Sequence, residues 1–230
     1  MPLTKPEINE LIEKDREHYC NGERVQLCVK IVAVANLPTL FGDFQIVAFY
    51  NNSDEREHIA LISGDVCGKE EVPVRLHSEC LTGDAIGSLR CDCREQLIAA
   101  MKNVASLDNG IVLYLRQEGR GIGLLNKVKA YQLQDFGYDT VEANEALGFK
   151  DDERDYMIAA HMLMALDVKS INLLTNNPDK VKDLKRHGIE VVGRIPILIE
   201  PNEYNEMYLK TKMEKLGHML DDLFVDDLDQ

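Results

Sequence analysis

Alternating and β-branched apolar runs occupy the first third of the chain and predict strands. Turn-forming residues separate these runs, which cover 25–35, 44–50, 57–62 and 72–77. Before them, Thr4 and Glu7 have the spacing of a capping box, and the apolar stripe that follows stops at Asn21-Gly22. We therefore predict a short amphipathic helix followed by a meander of four strands.

From residue 90 onward the pattern changes to an alternation of helices and strands. Helices are predicted over 90–105, 123–136, 153–166, 178–187 and 203–218, and strands over 111–115, 171–175 and 189–195. Such alternation requires crossover connections, which favour parallel strands covered by helices. The predicted fold is α/β, a layered mixed sheet with helices on both faces, in which the N-terminal meander precedes the alternating half.

Composition narrows the class of protein further. The 230 residues are 45% hydrophobic, which is enough for one sizeable core. No apolar run approaches the roughly 18 residues of a membrane span, and the N-terminus lacks the apolar centre of a signal peptide. We expect a cytoplasmic protein with no membrane partner. A net charge of −14 argues against broad nucleic-acid binding, so an anionic ligand would need a local group of cations.

Three cysteines crowd into one short segment, at Cys80, Cys91 and Cys93. Six cysteines in a chain of this length are too few for a disulfide framework, and thiolates at this density favour zinc. Three ligands and an open position would lower the pKa of a bound water to about 7, which suits hydrolysis. His77 could instead complete a closed structural site. Spacing alone does not separate these two interpretations, and the other cysteines are interpreted as structural.

A glycine loop follows the predicted strand at 111–115. Its pattern, G-x-G-x-G over 119–123, is neither a dinucleotide fingerprint nor a P-loop, but the order of strand, glycine loop and helix is typical of phosphate sites. A simple tight turn is the alternative. Neighbouring cations favour the phosphate, namely Arg116, Arg120, Lys127 and Lys129. Glu118 could accept two hydrogen bonds from guanine, or form a surface ion pair.

Two further segments carry charged residues at predicted element ends. The acids between Asp151 and Asp155 suit the first turn of a helix, where the helix dipole favours them, but this leaves Arg154 unexplained. Thr175 and Lys180 flank a predicted strand end and helix start, where both could reach an anion. Helix capping is the alternative for this second segment.

Four segments taken together resemble the GTP cyclohydrolase II family: RLHSECLTGDAIGSLRCDCREQL, YLRQEGRGIGLLNKVKAYQLQDFGYDTVEAN, LGFKDDERDY and LLTNNPDKV. The resemblance runs from about Leu37 to Leu220. It implies that Cys80, Cys91 and Cys93 bind one zinc ion per chain, with water in the fourth position and His77 off the metal. It also implies a GTP site made of Arg75, Leu76, His77, Ser78, Glu79, Gln96, Glu118, Gly119, Arg120, Thr140, Thr175 and Lys180.

The family resemblance implies a reaction as well. The guanine imidazole ring of GTP is opened at C8, formate leaves, and pyrophosphate is released with magnesium on the triphosphate. The product is a diaminopyrimidinone ribosyl phosphate, formed in the first step of riboflavin biosynthesis. The implied roles are nucleophile at the α-phosphorus for Arg154, base for Asp152, and assistance in the ring chemistry for Tyr131. Because a guanidinium with a pKa above about 12 is a poor nucleophile, charge stabilisation is an equally open role for Arg154.

Domain boundaries follow from the resemblance. We expect an N-terminal helix-and-strand extension over 1–36, the catalytic domain over 37–220 and an acidic tail over 221–230.

Arg94 departs from the family, in which glycine usually follows Cys-Asp-Cys. The family also implies a homodimer. Three alternatives remain: a variant that stops at the formylated ring-opened intermediate, a non-catalytic GTP-binding regulatory homologue, and a zinc-stapled scaffold that binds a partner through the tail.

The acidic tail is expected to be dispensable for turnover. Aspartates are concentrated there, so like charge and low hydrophobicity oppose firm packing. Removal of 221–230 should therefore leave the rate of formate release from GTP unchanged. The scaffold alternative predicts that this truncation abolishes function, and that Cys91→Ser abolishes folding, which circular dichroism would detect.

Overall fold

The computed structural model describes residues 4–16, 27–220 and 223. Within these residues seven strands form one sheet: β1 Val29–Thr39, β2 Gly42–Asn51, β3 Ile59–Gly64, β4 Val72–Ser78, β5 Asn109–Leu115, β6 Ser170–Leu174 and β7 Glu190–Ile195. The α-helices are α1 Lys5–Arg16, α2 Cys93–Ala105, α3 Gly123–Asp135, α4 Thr140–Ala146, α5 Met157–Ala165, α6 Pro178–Arg186 and α7 Glu206–Leu216. A π-helical turn covers Leu81–Ala85, and a 3₁₀ turn covers Glu118–Gly121.

The sheet is mixed, as predicted, with the strand order β1-β2-β3-β5-β4-β6-β7. Strands β1, β2, β3 and β5 pair antiparallel, whereas β4 is parallel to β5 and β6, and β6 is parallel to β7. The predicted four-stranded meander is therefore wrong in its last strand, because β5 lies between β3 and β4. The reason is burial: β4 is covered on both faces, which suits an interior position between parallel neighbours.

Helices cover both faces of the sheet, as predicted. On one face α1, α5 and α6 contribute to the largest apolar cluster through side chains such as Leu11, Leu163 and Leu184. On the other face α2 packs Met101 and Val104 in a second cluster. These two layers bury the sheet and leave its C-terminal edge, where the parallel strands end, free to carry polar groups.

Strand β4 separates the core from this polar region. Val72, Val74 and Leu76 are fully buried in the largest cluster. Arg75 and His77 alternate with them and so project from the opposite face of the sheet. Both are almost fully buried, with 5% and 2% of their surface exposed. Alternate side chains of this one strand therefore point to opposite faces of the sheet. One set packs in the apolar core, and the other provides buried polar groups for a site.

Two helix predictions differ from the structure. The helix predicted over 153–166 begins only at Met157, so the acidic segment before it is irregular. Two carboxylates stabilise the start of α5 by accepting hydrogen bonds from backbone amides. Asp155 accepts from the Met157 N–H, and Asp183 accepts from the Tyr156 N–H. Helix α4 was not predicted, because it is short; it begins with a capping box at Asp139.

Some predictions fall outside the described residues. These are the helix stop at Asn21-Gly22, the beginning of the first predicted strand, and the acidic tail except Leu223. The domain boundaries stay predictions. Across the described parts of the chain, none of the helices combines the length and the apolar character that a membrane crossing requires.

Candidate active site

A cavity of about 550 Å³ opens beside the carboxyl ends of the parallel strands β4, β5 and β6. Such an edge is where α/β sheets commonly bind ligands. The cavity is lined by most of the residues that the sequence singled out: Arg75, His77, Ser78, Glu79, Cys80, Cys91, Cys93, Gln96, Glu118, Gly119, Arg120, Tyr131, Thr140, Arg154, Thr175 and Lys180. The fold therefore brings together segments that lie up to about a hundred residues apart in sequence.

Leu76 and Asp152 do not line this cavity. The Leu76 side chain is fully buried in the core, but its carbonyl oxygen accepts a hydrogen bond from Lys180 Nζ at 2.9 Å. Asp152 lies behind Arg154, whose Nε donates to Asp152 Oδ1 at 2.8 Å. Both residues therefore act on the cavity through a neighbouring cation.

The three-cysteine cluster joins the end of β4 to the beginning of α2. The Sγ atoms of Cys80, Cys91 and Cys93 all lie within 4.8 Å of one another, and those of Cys80 and Cys91 are 3.7 Å apart. Two donors reach Cys80 Sγ, the Gly83 amide at 3.3 Å and Lys127 Nζ at 3.1 Å. Three convergent soft ligands are the donor set that zinc prefers, so the residues present fit this metal.

The ionisation of the thiols supports a cation at this position. Hydrogen bonds from the other two thiols hold the pKa of Cys80 far below its usual range. The contact with Cys80 raises the pKa of Cys91 to about 11, although Cys93 acts in the opposite direction, and contacts with Cys80 and Cys91 raise the pKa of Cys93 well above its usual value. Only one thiol is therefore readily ionised, because adjacent thiolates repel each other. A divalent cation would remove that repulsion and allow all three to bind it as thiolates.

His77 is engaged away from the thiols. Its Nε2 lies 3.0 Å from both carboxylate oxygens of Asp84, and its ring stacks on Tyr114 at a centroid distance of 5.5 Å. Burial lowers the pKa of His77 below its ordinary value, although Asp84 acts in the opposite direction. The histidine is not a member of the three-thiol cluster. A closed Cys₃His site is therefore not what this arrangement favours.

The glycine loop places Glu118 and Arg120 at the cavity. Glu118 Oε1 accepts from Lys127 Nζ at 2.7 Å, and Oε2 accepts from the Leu81 amide at 2.6 Å. Both side chains of this ion pair are about nine-tenths buried. The alternative that Glu118 forms an ion pair at the surface is therefore wrong. Arg120 has a φ of 58°, a left-handed conformation that costs energy outside glycine and recurs at functional sites.

Three buried cations meet at the ends of β4 and β6. Arg75 Nη1 donates to the Leu174 carbonyl at 2.9 Å, and Arg154 Nη1 donates to Ser78 Oγ at 3.3 Å. Burial first, and then the charges of Arg75 and Arg154, hold the pKa of Lys180 well below its usual value. An anionic ligand would favour the protonated form of Lys180 by compensating these charges.

Tyr131 and Thr140 lie on the side of the cavity formed by α3 and α4. The Tyr131 hydroxyl is 3.2 Å from Thr82 Oγ1, and its ring faces Arg90 at 5.0 Å and Lys127 at 5.6 Å. Burial raises the pKa of Tyr131 above its usual value, so the phenol is protonated at neutral pH. A protonated phenol near the thiols is able to donate a hydrogen bond to a ligand.

Several charged residues noted in the sequence lie elsewhere. Arg116 pairs with Glu79 at 2.8 Å and is about half exposed. Arg94 is exposed and does not line the cavity, so its departure from the family pattern does not alter the lining. Conversely, sequence reasoning missed Asp92, Tyr208 and Lys212. The position of Asp92 between two cysteines could have marked it as part of the site. Nothing in the local sequence marks the two α7 residues, because their contacts lie far away in sequence.

Gly83 offers a test of the thiol cluster that is independent of turnover. A Cβ at this position would lie 3.0 Å from Cys91 Sγ and 3.1 Å from Cys80 Sγ. Gly83→Ala should therefore push the sulfurs apart and weaken zinc binding by roughly tenfold or more, measured by competition with a chromophoric chelator. Gly148→Ala is the control for general destabilisation: its methyl group meets nothing within 4 Å, but the φ of 83° strains the backbone there, far from the thiols. Equal zinc affinity in the two variants would contradict the proposed metal position.

Comparison with known proteins identifies the family. The family model described as GTP cyclohydrolase II matches residues 30–196. GTP cyclohydrolase-2 of Picrophilus torridus is 51% identical over 191 residues, which are 83% of this chain and 99% of that protein. GTP cyclohydrolase-2 of Tolumonas auensis is 56% identical over 194 residues, 84% of this chain and 98% of that protein.

A longer relative shares the same region. The riboflavin biosynthesis protein RibBA of Synechocystis sp. is 59% identical over 215 residues, 93% of this chain. The matched region is 37% of that protein, so this chain spans only about a third of the longer relative. The family model and these relatives together show that the chain belongs to the GTP cyclohydrolase II family.

Proposed function

We propose that this chain hydrolyses GTP in riboflavin biosynthesis, opening the guanine ring at C8 with release of formate and pyrophosphate. Membership of the family supports the activity. The observation that carries the proposal is that a single cavity is lined both by a three-thiol cluster and by a group of cations. A nucleoside triphosphate needs both: a centre that activates water for the base, and positive charge for the phosphates.

The proposed metal ligands are Cys80, Cys91 and Cys93. Zinc held there would lower the pKa of a water to near neutrality and so supply a nucleophile for carbon. The chain prepares this site through Lys127 and the Gly83 amide, which both donate to Cys80 Sγ and so favour its thiolate. Lys127 keeps its charge, since Glu118 and the Cys80 thiol raise its pKa although burial acts in the opposite direction.

Glu118 is proposed to recognise the guanine base. A carboxylate offers about four acceptor positions, and three are taken by Lys127, the Gly119 amide and the Leu81 amide. One position therefore remains for a guanine N–H, and a second guanine donor would displace one of these protein donors. Adenine lacks an N–H at the equivalent ring position, which makes Glu118 a candidate for base selection.

The phosphates are proposed to bind the cations that line the cavity. Arg75 Nε and His77 Nδ1 are buried and have no hydrogen-bond partner among the described residues. Unpaired polar atoms of this kind are unusual in folded proteins, and a polar ligand would satisfy them. Arg120, Thr175 and Lys180 add donors around the same cavity. Magnesium is proposed to accompany the triphosphate, as it does at most nucleotide sites.

Arg154 is proposed to stabilise charge on the departing phosphates. Its guanidinium pairs with Asp152 through Nε and Nη2. Although burial opposes the charged form, Tyr156 and Asp152 raise the pKa of Arg154 above its usual range. A nucleophile would require the neutral form, so this environment favours the electrostatic role over a covalent one.

A homodimer is proposed from an apolar surface. Leu125 and Val128 on α3 are 80% and 53% exposed, and Phe136, directly after the helix, is 76% exposed. Ile86 and Leu89 are also exposed, in the loop that an ion pair joins to the end of α3. Exposed apolar groups in this number favour association with another surface. The cytoplasmic location stays a prediction from the sequence.

The proposed reaction is tested by its two small products. Purified protein with GTP, zinc and magnesium should release formate and pyrophosphate in equal amounts, and Cys91→Ser should release neither. Pyrophosphate without formate would indicate a variant that stops at the formylated intermediate. If GTP binds and neither product appears, the chain is a GTP-binding regulatory protein and the proposed reaction is wrong.

Arg154→Lys separates the two roles of the arginine. Lysine keeps the charge but loses the fork that pairs with Asp152, so pyrophosphate release should fall by roughly a hundredfold and still be measurable. An obligatory covalent guanidinium intermediate would leave no release at all. Arg186→Lys is the control, because the Arg186 side chain is 68% exposed, pairs with Asp183 on α6 and does not line the cavity. Its rate should match that of the unmodified protein.

A further inference from the structure

Helix α7 lines the cavity although it lies outside the residues that match the family model, 30–196. It contributes Tyr208, Thr211 and Lys212, and the segment after it contributes His218 and Leu220. Its apolar anchoring is modest, since Leu209 and Leu220 form a small cluster separate from the two clusters that cover the sheet. The polar contacts of α7 therefore need a separate explanation.

Lys212 makes the most buried of these contacts. Only 8% of the residue is exposed, and its Nζ donates to Asp92 Oδ1 at 2.8 Å across 120 residues of sequence. The ammonium also lies 4.3 Å from the centroid of the Tyr208 ring, which faces Arg120 at 5.8 Å. Lys212 is thus held between an aromatic ring and a buried carboxylate, a costly arrangement unless the two charges compensate each other.

Asp92 lies between the proposed metal ligands Cys91 and Cys93. It occupies the N-cap position of α2, yet its side chain makes no capping hydrogen bond to the helix backbone. One carboxylate oxygen accepts from Lys212, and the other accepts from the Gln96 side chain, whose own oxygen accepts from Arg75 Nη2. An aspartate at an N-cap usually bonds the first-turn amides, so the orientation here is set by Gln96 on α2 and by the distant Lys212.

We propose that Lys212 is a positioning residue for the metal site: by holding the Asp92 carboxylate, it fixes the turn that presents Cys91 and Cys93. The inference rests on the proposed function only in taking zinc as the metal. Residues behind metal ligands commonly set the orientation of those ligands, and their loss weakens metal binding by roughly 10 to 100-fold. Here the supporting group comes from α7, so the helix completes a site whose ligands lie far earlier in the chain.

A different role for Lys212 would be direct contact with the phosphates, since it also lines the cavity. The two roles predict different measurements. A phosphate contact would change the KM for GTP and leave zinc retention unchanged, because no ligand of the metal would move. A positioning residue changes zinc retention even when GTP is absent.

Zinc retention is therefore the first measurement. Zinc-loaded protein without GTP is mixed with excess chromophoric chelator, and the rate of zinc loss is recorded. Lys212→Met should lose zinc roughly 10 to 100-fold faster than the unmodified protein, and Lys212→Arg should restore most of the difference. Lys210→Met is the matched control on the same helix, because Lys210 forms an i,i+4 ion pair with Glu206 at the surface. It should retain zinc like the unmodified protein.

A double variant keeps the test valid if a single variant folds poorly. Lys212→Met and Asp92→Asn each leave one buried charge unpaired, whereas the combination removes both. The double variant should be better folded by circular dichroism than Lys212→Met, and it should lose zinc no faster than that single variant, because both changes break the same contact. Additive effects of the two changes would overturn the inference, as would equal zinc retention in Lys212→Met and Lys210→Met.

These outcomes are distinguishable from failure of the proposed function. Zinc retention is measured without GTP, so a positioning role for Lys212 can be established even if no formate is released. Conversely, formate release by the unmodified protein together with normal zinc retention in Lys212→Met would overturn the role of Lys212 and leave the reaction intact.

Discussion

Compensation of buried charge is the constraint on which this site depends. Lys127 pairs with Glu118, Arg154 with Asp152, and Lys212 with Asp92, and the side chains of all three cations are nearly buried. Each pair is stable only as a pair, because removing one partner leaves an uncompensated charge away from water. The Lys212–Asp92 pair ties α7 to the turn before α2 across 120 residues of sequence, whereas the other two pairs fix side chains within neighbouring segments.

Two groups within the cavity remain uncompensated by the protein. The thiols of the cysteine cluster cannot all ionise in contact with one another, and Lys180 is bonded to a carbonyl oxygen rather than to a carboxylate. A divalent cation would compensate the first group, and an anionic ligand would compensate the second. The same cavity could therefore hold a metal and an anion together, which is the combination that the proposed reaction needs.

The sheet makes this arrangement possible through one strand. In β4 the residues directed to the core are aliphatic, whereas Arg75 and His77 project to the other face, towards α2 and the cysteines. The next strands in the sheet, β5 and β6, end at the same edge and deliver Glu118 and Thr175. The hydrogen bonds of Arg75 to Gln96 and the Leu174 carbonyl, and the contact of His77 with Asp84, compensate much of the cost of burying these groups, so β4 couples the stability of the core to the integrity of the site.

Local sequence patterns predicted most of the elements and some of the candidate site residues, whereas others, such as Arg75 and Thr140, came only from the family resemblance. The periods of 2 and 3.6 predicted nearly every strand and helix, the cysteine spacing predicted a metal cluster, and the glycine loop predicted a ligand edge. Only the tertiary structure decided the place of β5 between β3 and β4, the irregular segment that carries Arg154, and the contact of Lys212 with Asp92. These features depend on residues that lie dozens to more than a hundred positions apart. Periodicity reports only which face of an element is apolar, whereas the partner of a buried charge is set by how the elements pack.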